Sequence, residues 1–147
     1  MSYITNSDVQ LRMGTASYIQ LTDDTGSGSA DTNIVDEARQ GAEGEVDSYL
    51  SRRYAVPIDL VTHPQVAAVL KSASLDLVEY RLHARRRDVP AGVVSKRDAA
   101  LAWLRRVAGG ETALPSVLPI APNAAAGLRT ASTGDDRLLS RDELSDF

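Results

Sequence analysis

Between residues 32 and 53, apolar side chains return every three or four positions, at Val35, Ala38, Ala42, Val46, Tyr49 and Leu50. Glu37, Glu43, Glu45 and Asp47 fall largely between them. That period lays one narrow apolar stripe along a helix, with Asp31 or Thr32 as its cap. Gly41 and Gly44 each cost a helix about 1 kcal/mol relative to alanine, which predicts another helix crossing close to them. Tyr54-Ala55-Val56-Pro57 then leaves in an extended connection, because a residue before proline disfavours the α region.

A second helix is predicted over 63–87, opened by Thr62 and His63-Pro64, since proline suits the first helical turn. Val66, Val69, Leu70, Ala73, Leu77 and Tyr80 make one stripe, and Ala68, Leu75, Val78 and Leu82 cover much of the remaining surface. An element apolar on most sides belongs at the centre of a body or against a neighbouring subunit. Arg85-Arg86-Arg87 at its end complements the negative pole of the helix dipole. After Val89-Pro90-Ala91-Gly92, Ser95 is expected to open a third long helix. Its stripe is Ala100, Leu101, Leu104, Val107 and Ala108, and Gly109-Gly110 ends it.

Upstream, Thr5 and Asp8 have the spacing of a capping box, so a short helix follows and ends near Gly14. Another turn or two is predicted over 15–21, then a loop through Thr22-Asp23-Asp24-Thr25-Gly26-Ser27-Gly28-Ser29. Beyond residue 110 the periodicity stops, and Pro115, Pro119 and Pro122 punctuate a stretch without a stripe. The last residues differ again. Ser140 and Glu143 fit the cap of a single turn, and Leu138, Leu139, Arg141, Leu144 and Phe147 form a charged, apolar docking segment.

These elements define an all-α fold: a small bundle of three longer helices plus one or two short N-terminal helices. Residues 1–110 are the helical domain and 111–147 an extended C-terminal arm. Val46, Tyr49, Leu50, Tyr54, Leu70, Leu77, Leu101 and Leu104 are the expected core. Aromatics are only 5% of the 147 residues, so Ala, Leu and Val supply the packing, which favours helices over a sandwich.

Cysteine is absent, which removes disulfides and thiolate metal sites and fits a reducing cytosol. Met1-Ser2-Tyr3-Ile4-Thr5 lacks the pattern of a signal peptide, and no apolar run approaches the roughly 20 residues of a membrane helix. A soluble protein with no membrane partner is expected. The net charge of −4 hides an asymmetry. Residues 1–50 carry two basic and nine acidic side chains, residues 51–110 eleven and five, and residues 111–147 three and six. An acidic face of one copy meeting a basic face of the next would serve a head-to-tail ring. Glu37, Glu43 and Asp47 opposite Arg81, Arg85, Arg86 and Arg87 are the candidates for that contact. The commonplace alternative is that Asp36, Glu37, Glu43, Glu45 and Asp47 form a solvated helix face.

Little points to catalysis. His63 sits at a helix start and His83 beside arginines, neither in a nucleophile motif. Asp23, Asp24 and Asp31 miss the calcium-loop spacing, and no phosphate or dinucleotide fingerprint occurs. No enzyme, metal or cofactor is expected. Arg81, Arg85, Arg86 and Arg87 with Lys96, Arg97, Arg105 and Arg106 leave a helical DNA-binding regulator as an alternative.

Several blocks carry a resemblance. They are Tyr3-Ile4-Thr5, Asp8-Val9, Arg12-Met13-Gly14 and Gln20-Leu21-Thr22-Asp23. Ile34-Val35, Ala38 and Ala42 follow, then Glu45-Val46-Asp47-Ser48-Tyr49-Leu50 and Arg53-Tyr54-Ala55-Val56-Pro57. With Asp76, Arg81-Leu82, Ala100-Leu101-Ala102-Trp103-Leu104 and the closing Ser140-Arg141-Asp142-Glu143-Leu144 and Phe147, the chain resembles the Mu-type neck proteins of tailed phages. It departs from them at Leu139, where an aromatic is expected, and at Asp146, where glycine is. The resemblance implies a head–tail adaptor: a ring, a dodecamer, under the portal protein, joining the DNA-filled capsid to the tail through a stopper or tail-completion protein. It implies assembly in the host cytoplasm and residence in the virion neck. DNA would pass through the lumen without sequence-specific binding, and acidic residues of the first half are expected to line it. A tail-side stopper or joining protein is the variant reading.

Overall fold

Thr5 sets the first element. Its hydroxyl accepts from Asp8 N at 3.2 Å and its own N–H donates to the Asp8 carboxylate at 2.9 Å, the reciprocal pair of a capping box. Ile4 before the cap and Val9 inside the helix are both buried in one cluster, as a hydrophobic staple requires. A computed structural model describes residues 2–120 of the chain. Its elements are α1 (Asn6–Met13), α2 (Thr15–Thr22), α3 (Thr32–Leu50), α4 (Pro64–Ala84) and α5 (Ala91–Gly109). No strand occurs among the described residues, so the fold is all-α.

α4 is the centre: it packs on α3 and α5 along its length and also touches α1 and α2. Its buried residues, Val66, Leu70, Ala73, Leu75, Leu77, Val78 and Leu82, spread around most of the helix as their sequence distribution predicts. The stripes of α3 (Val35, Ala38, Ala42, Val46, Leu50) and α5 (Ala100, Leu101, Leu104, Val107, Ala108) close the core from both sides. No helix of the described residues is long and apolar enough to cross a membrane.

Boundaries differ in three places. α3 stops at Leu50 rather than at residue 53, its last carbonyl accepting from Arg53 N and Tyr54 N at 2.9 Å in a closing turn. α4 stops at Ala84 rather than at residue 87, because Arg85 and Arg86 turn back towards the end of α2. α5 begins at Ala91, not near Ser95. The Pro90 carbonyl accepts from Val93 N at 2.9 Å, and Val93 is buried, so the first turn forms without a side-chain cap. Gly41 and Gly44 also need a different account. A Cβ at Gly41 would meet the Arg81 guanidinium at 2.9 Å, so a side chain rather than a helix backbone uses that space, and nothing lies within 4 Å of one at Gly44.

Of the expected core, Val46, Leu50, Tyr54, Leu70, Leu77, Leu101 and Leu104 are buried. Tyr49 is not: it is half-buried and packs at the edge of the cluster. A tyrosine in a helix's last turn covers the core with its ring while its hydroxyl stays in water.

Gly110 ends α5 in the left-handed region (φ 87°), and the chain then turns back on the body. Leu114 is 3% exposed, its N–H donates to the Tyr54 hydroxyl at 3.1 Å, and Ile120 N donates to Arg53 O at 2.6 Å. The first ten residues of the C-terminal arm therefore lie against the helices. Leu138, Leu139, Arg141, Leu144 and Phe147 lie outside the described residues.

Candidate interaction surface

Of the acidic positions of α3, Glu37 is exposed, whereas Asp36, Glu43, Glu45 and Asp47 hold partners within the body. Glu43 Oε1 accepts from Ser2 Oγ at 2.6 Å, Tyr3 N at 2.8 Å and Ile4 N at 3.0 Å. Asp47 accepts from the Tyr3 hydroxyl, and Asp36 from the Asn6 side-chain amide at 2.9 Å. Arg39 donates to Ser2 Oγ at 2.6 Å and to Ile4 O at 3.1 Å. Together they strap residues 2–6 along α3. Burial and the Asp47 carboxylate push the Tyr3 phenol well above its ordinary range, so it stays a neutral donor. The Asn6 amide, followed by Arg39, holds the Asp36 carboxyl below its ordinary range.

Much of the basic segment is also engaged internally. Arg81 pairs with Glu45 at 2.8 Å. Arg85 pairs with Asp24 and donates to Leu21 O at 2.9 Å, and Arg86 pairs with the same carboxylate at 3.0 Å. Both arginines thereby hold the loop after α2 against the end of α4. Within that loop Asp23 accepts from Gly28 N at 2.7 Å, Ser27 N at 3.0 Å and Thr25 N at 3.1 Å, which lowers its carboxyl to about 2. These aspartates organise a turn. Of the interface candidates, only Glu37 and Arg87 are exposed with no ion pair to another described residue.

An open cleft of about 570 Å³ runs between α3, α4 and α5, floored by Ile34, Ala38 and Leu77 and rimmed by Glu37, the Glu45–Arg81 pair and Arg85. Arg97 lies over the Tyr80 ring at 4.5 Å from its centroid, a cation–π contact that stiffens one wall. A second cleft, of about 600 Å³, brings Ser17, His83 and Asp88 to one lining. No hydrogen bond joins His83 to Ser17 or Asp88, so the relay that activates a serine is not assembled. Among the described residues no three His, Asp or Glu side chains are placed to hold a metal ion. Among the described residues the surface offers salt-bridged rims, an aromatic–arginine wall and four exposed large apolar residues, Leu11, Val61, Leu118 and Ile120.

Local sequence does not position the N-terminal strap. Its signal was present in Tyr3-Ile4, an apolar pair directly ahead of a helix cap, but the acceptors on α3 lie about 40 positions away. A model of the family described as Bacteriophage Mu, Gp36, matches residues 3–130, which takes in the strap, all five helices and the segment against Tyr54. Comparison with curated proteins gave no match.

Proposed function

Because the chain belongs to the bacteriophage Mu Gp36 family, we propose that it is a structural, non-catalytic protein of phage morphogenesis, and within that class a head–tail connector. The observation that carries this reading is the extent of the family match, which spans the whole helical body and its Tyr54-anchored extension.

In this reading copies of the body assemble side by side into a ring, a dodecamer, beneath the portal protein. The end of the chain grips the portal, and the opposite side receives a stopper or tail-completion protein. The charge available between copies is smaller than the sequence totals imply, because Arg81 pairs with Glu45 and one Asp24 carboxylate offsets one of the two charges of Arg85 and Arg86 inside each subunit. Of the contact candidates on α3 and around the end of α4, Glu37 and Arg87 remain exposed and without an ion pair to another described residue, and the exposed Leu11 supplies apolar area. The acidic excess of the first 50 residues favours a lumen that repels the DNA backbone and lets it slide. The internal pairing of Arg81, Arg85 and Arg86 counts against a DNA-binding regulator, since a phosphate would have to displace carboxylates already in place.

Negative-stain electron microscopy of the purified protein, alone and with portal, tests the proposal. Rings that stack on portal support it. A protein that stays monomeric and fails to bind portal under all ratios overturns it, and a ring whose lumen is basic removes the acidic-channel element.

A further inference from the structure

Arg52 and Arg53 follow α3, and Arg105 and Arg106 occupy the last turns of α5; none of the four forms an ion pair with another described residue. The two helix ends lie side by side, because a Cβ on Gly110 would meet the Arg53 guanidinium at 2.3 Å. Opposing charge at this end is smaller than the four cations: the Glu111 carboxylate, the Asp47 carboxylate in the last turn of α3 and two helix C-termini worth roughly −0.5 each. Roughly one positive charge is left uncompensated, and none of the four arginines has a carboxylate partner among the described residues. The same end carries apolar surface. Leu118 is 87% exposed and Ile120 55% exposed, and Ile120 is tied to Arg53 O. Guanidinium groups beside bare leucine and isoleucine match a ligand that is both acidic and apolar. A polyphosphate backbone would leave the apolar half unused.

The chain contains such a ligand. Residues 135–147 carry Asp135, Asp136, Asp142, Glu143 and Asp146 against Arg137 and Arg141, with leucines and Phe147 interleaved. Seventeen residues, 121–137, separate Leu138 from the last described residue and span up to about 56 Å when extended. α4, with 21 residues, is about 31 Å long, so the segment reaches any point on the body. We propose that residues 135–147 dock on the arginine end of their own chain, their carboxylates on Arg52, Arg53, Arg105 and Arg106 and their apolar side chains over Leu118 and Ile120. Tethering favours this occupant over a second copy, since covalent attachment through so few residues presents the segment at about millimolar effective concentration. The inference does not depend on the connector reading. It describes the free subunit and gives the segment a resting place before any partner competes for it.

The absence of cysteine makes the test clean. Spin labels on Ser145→Cys and on Ala102→Cys, an exposed position of α5, report the distance between segment and body in the full chain. A short, narrow distance population is expected, and it should disappear in about 1 M salt, where screening contracts to about 3 Å. It should also vanish on Asp142→Lys with Glu143→Lys, a change in the segment alone that leaves the body's fold untouched. Arg105→Glu with Arg106→Glu should abolish it equally, and combining both pairs of reversals should restore it. Arg87→Glu, at an exposed cation elsewhere, should leave it unchanged. A broad distribution indifferent to these reversals overturns the proposal. So does a short distance found only between singly labelled copies mixed together, which would assign the site to a neighbour's segment.

Discussion

Tyr3 and Asp47 meet across 44 positions of sequence, the phenol donating to Asp47 Oδ1 on α3 while its oxygen accepts from Ile58 N at 2.9 Å. One hydroxyl thus ties the N-terminal strap, α3 and the connection to α4. Tyr3→Phe keeps the ring and removes the tie, orphaning a buried N–H, and should cost about 1–3 kcal/mol in chemical denaturation. A cost below about 0.5 kcal/mol would show that water replaces the phenol. The pH dependence follows from the raised phenol. Above its ordinary value of 10.0 the unfolded chain releases this proton and the native state retains it, so stability falls as pH rises past 10. Tyr3→Phe should flatten part of that alkaline loss, with the rest left to Tyr18, which burial also raises.

Asp8 links the α1 cap to α4 through Lys71 at 2.6 Å. The Lys71 ammonium, followed by the Thr5 donors, holds its carboxyl below the ordinary 3.8. The linked stability is therefore present above that value and is lost as pH falls through the depressed one. Asp8→Asn should lower stability at neutral pH by about 1 kcal/mol, a figure kept small because Lys71 is half exposed. It should also weaken the acid limb of the stability profile below the ordinary aspartate value of 3.8. An acid limb identical in variant and parent would mean that the pair contributes nothing.

The two glycines of α3 separate propensity from packing. Gly44→Ala adds a methyl into open space and should stabilise by about 0.5–1 kcal/mol. Gly41→Ala gains the same propensity but pushes the Arg81 guanidinium away from Glu45, a partly exposed pair worth about 0–1 kcal/mol. Thermal unfolding should rank Gly44→Ala above Gly41→Ala. The reverse order would mean that Arg81 gains from being displaced.

The reason the helices were legible and the surface was not is the range of the interactions. Val35 to Leu50 and Leu70 to Leu82 announce their helices within four residues, and Thr5 with Asp8 announces a cap within three. Ser95 offers a local cap that predicts a later start for α5, whereas the actual start depends on burying Val93. The acids of α3 read as solvent-facing because their partners Ser2, Tyr3, Asn6 and Arg81 lie 30 to 44 positions away. Nothing local distinguishes such a carboxylate from a free one. Leu114 reads as part of the arm for the same reason: its partner, Tyr54, is 60 positions upstream.

Leu114 is the point at which the chain beyond α5 is fastened. Leu114→Ala empties a buried position and should cost about 2–4 kcal/mol if the surroundings stay in place. Because residues 111–120 are tied to the body through the Tyr54 hydroxyl and Arg53 O, a second outcome is informative. Faster amide exchange confined to residues 112–120 and Tyr54, with little change in global stability, would identify the segment as a separately opening unit. Unchanged exchange together with unchanged stability would deny Leu114 any anchoring role.

The sharpest separation between body and arm comes from one substitution in each. Leu50 is fully buried at the end of α3, against a cluster that includes Leu70, Leu77 and Leu104. A carboxylate there has no partner and cannot reach water, a penalty of several kcal/mol against a domain stability of about 5–15 kcal/mol. Leu50→Asp should therefore lose most of its helical circular dichroism. Phe147 lies outside the described residues, among which the buried cluster already accounts for the packing of α1 to α5. Phe147→Ala should keep the parent's helicity and melting temperature, and on the connector reading it should weaken binding to portal. Loss of helicity in both variants would place Phe147 in the folding core and remove the distinction between a body that folds and an end that docks. Full portal binding by a folded Phe147→Ala would move the docking role to Leu138, Leu139 or Leu144.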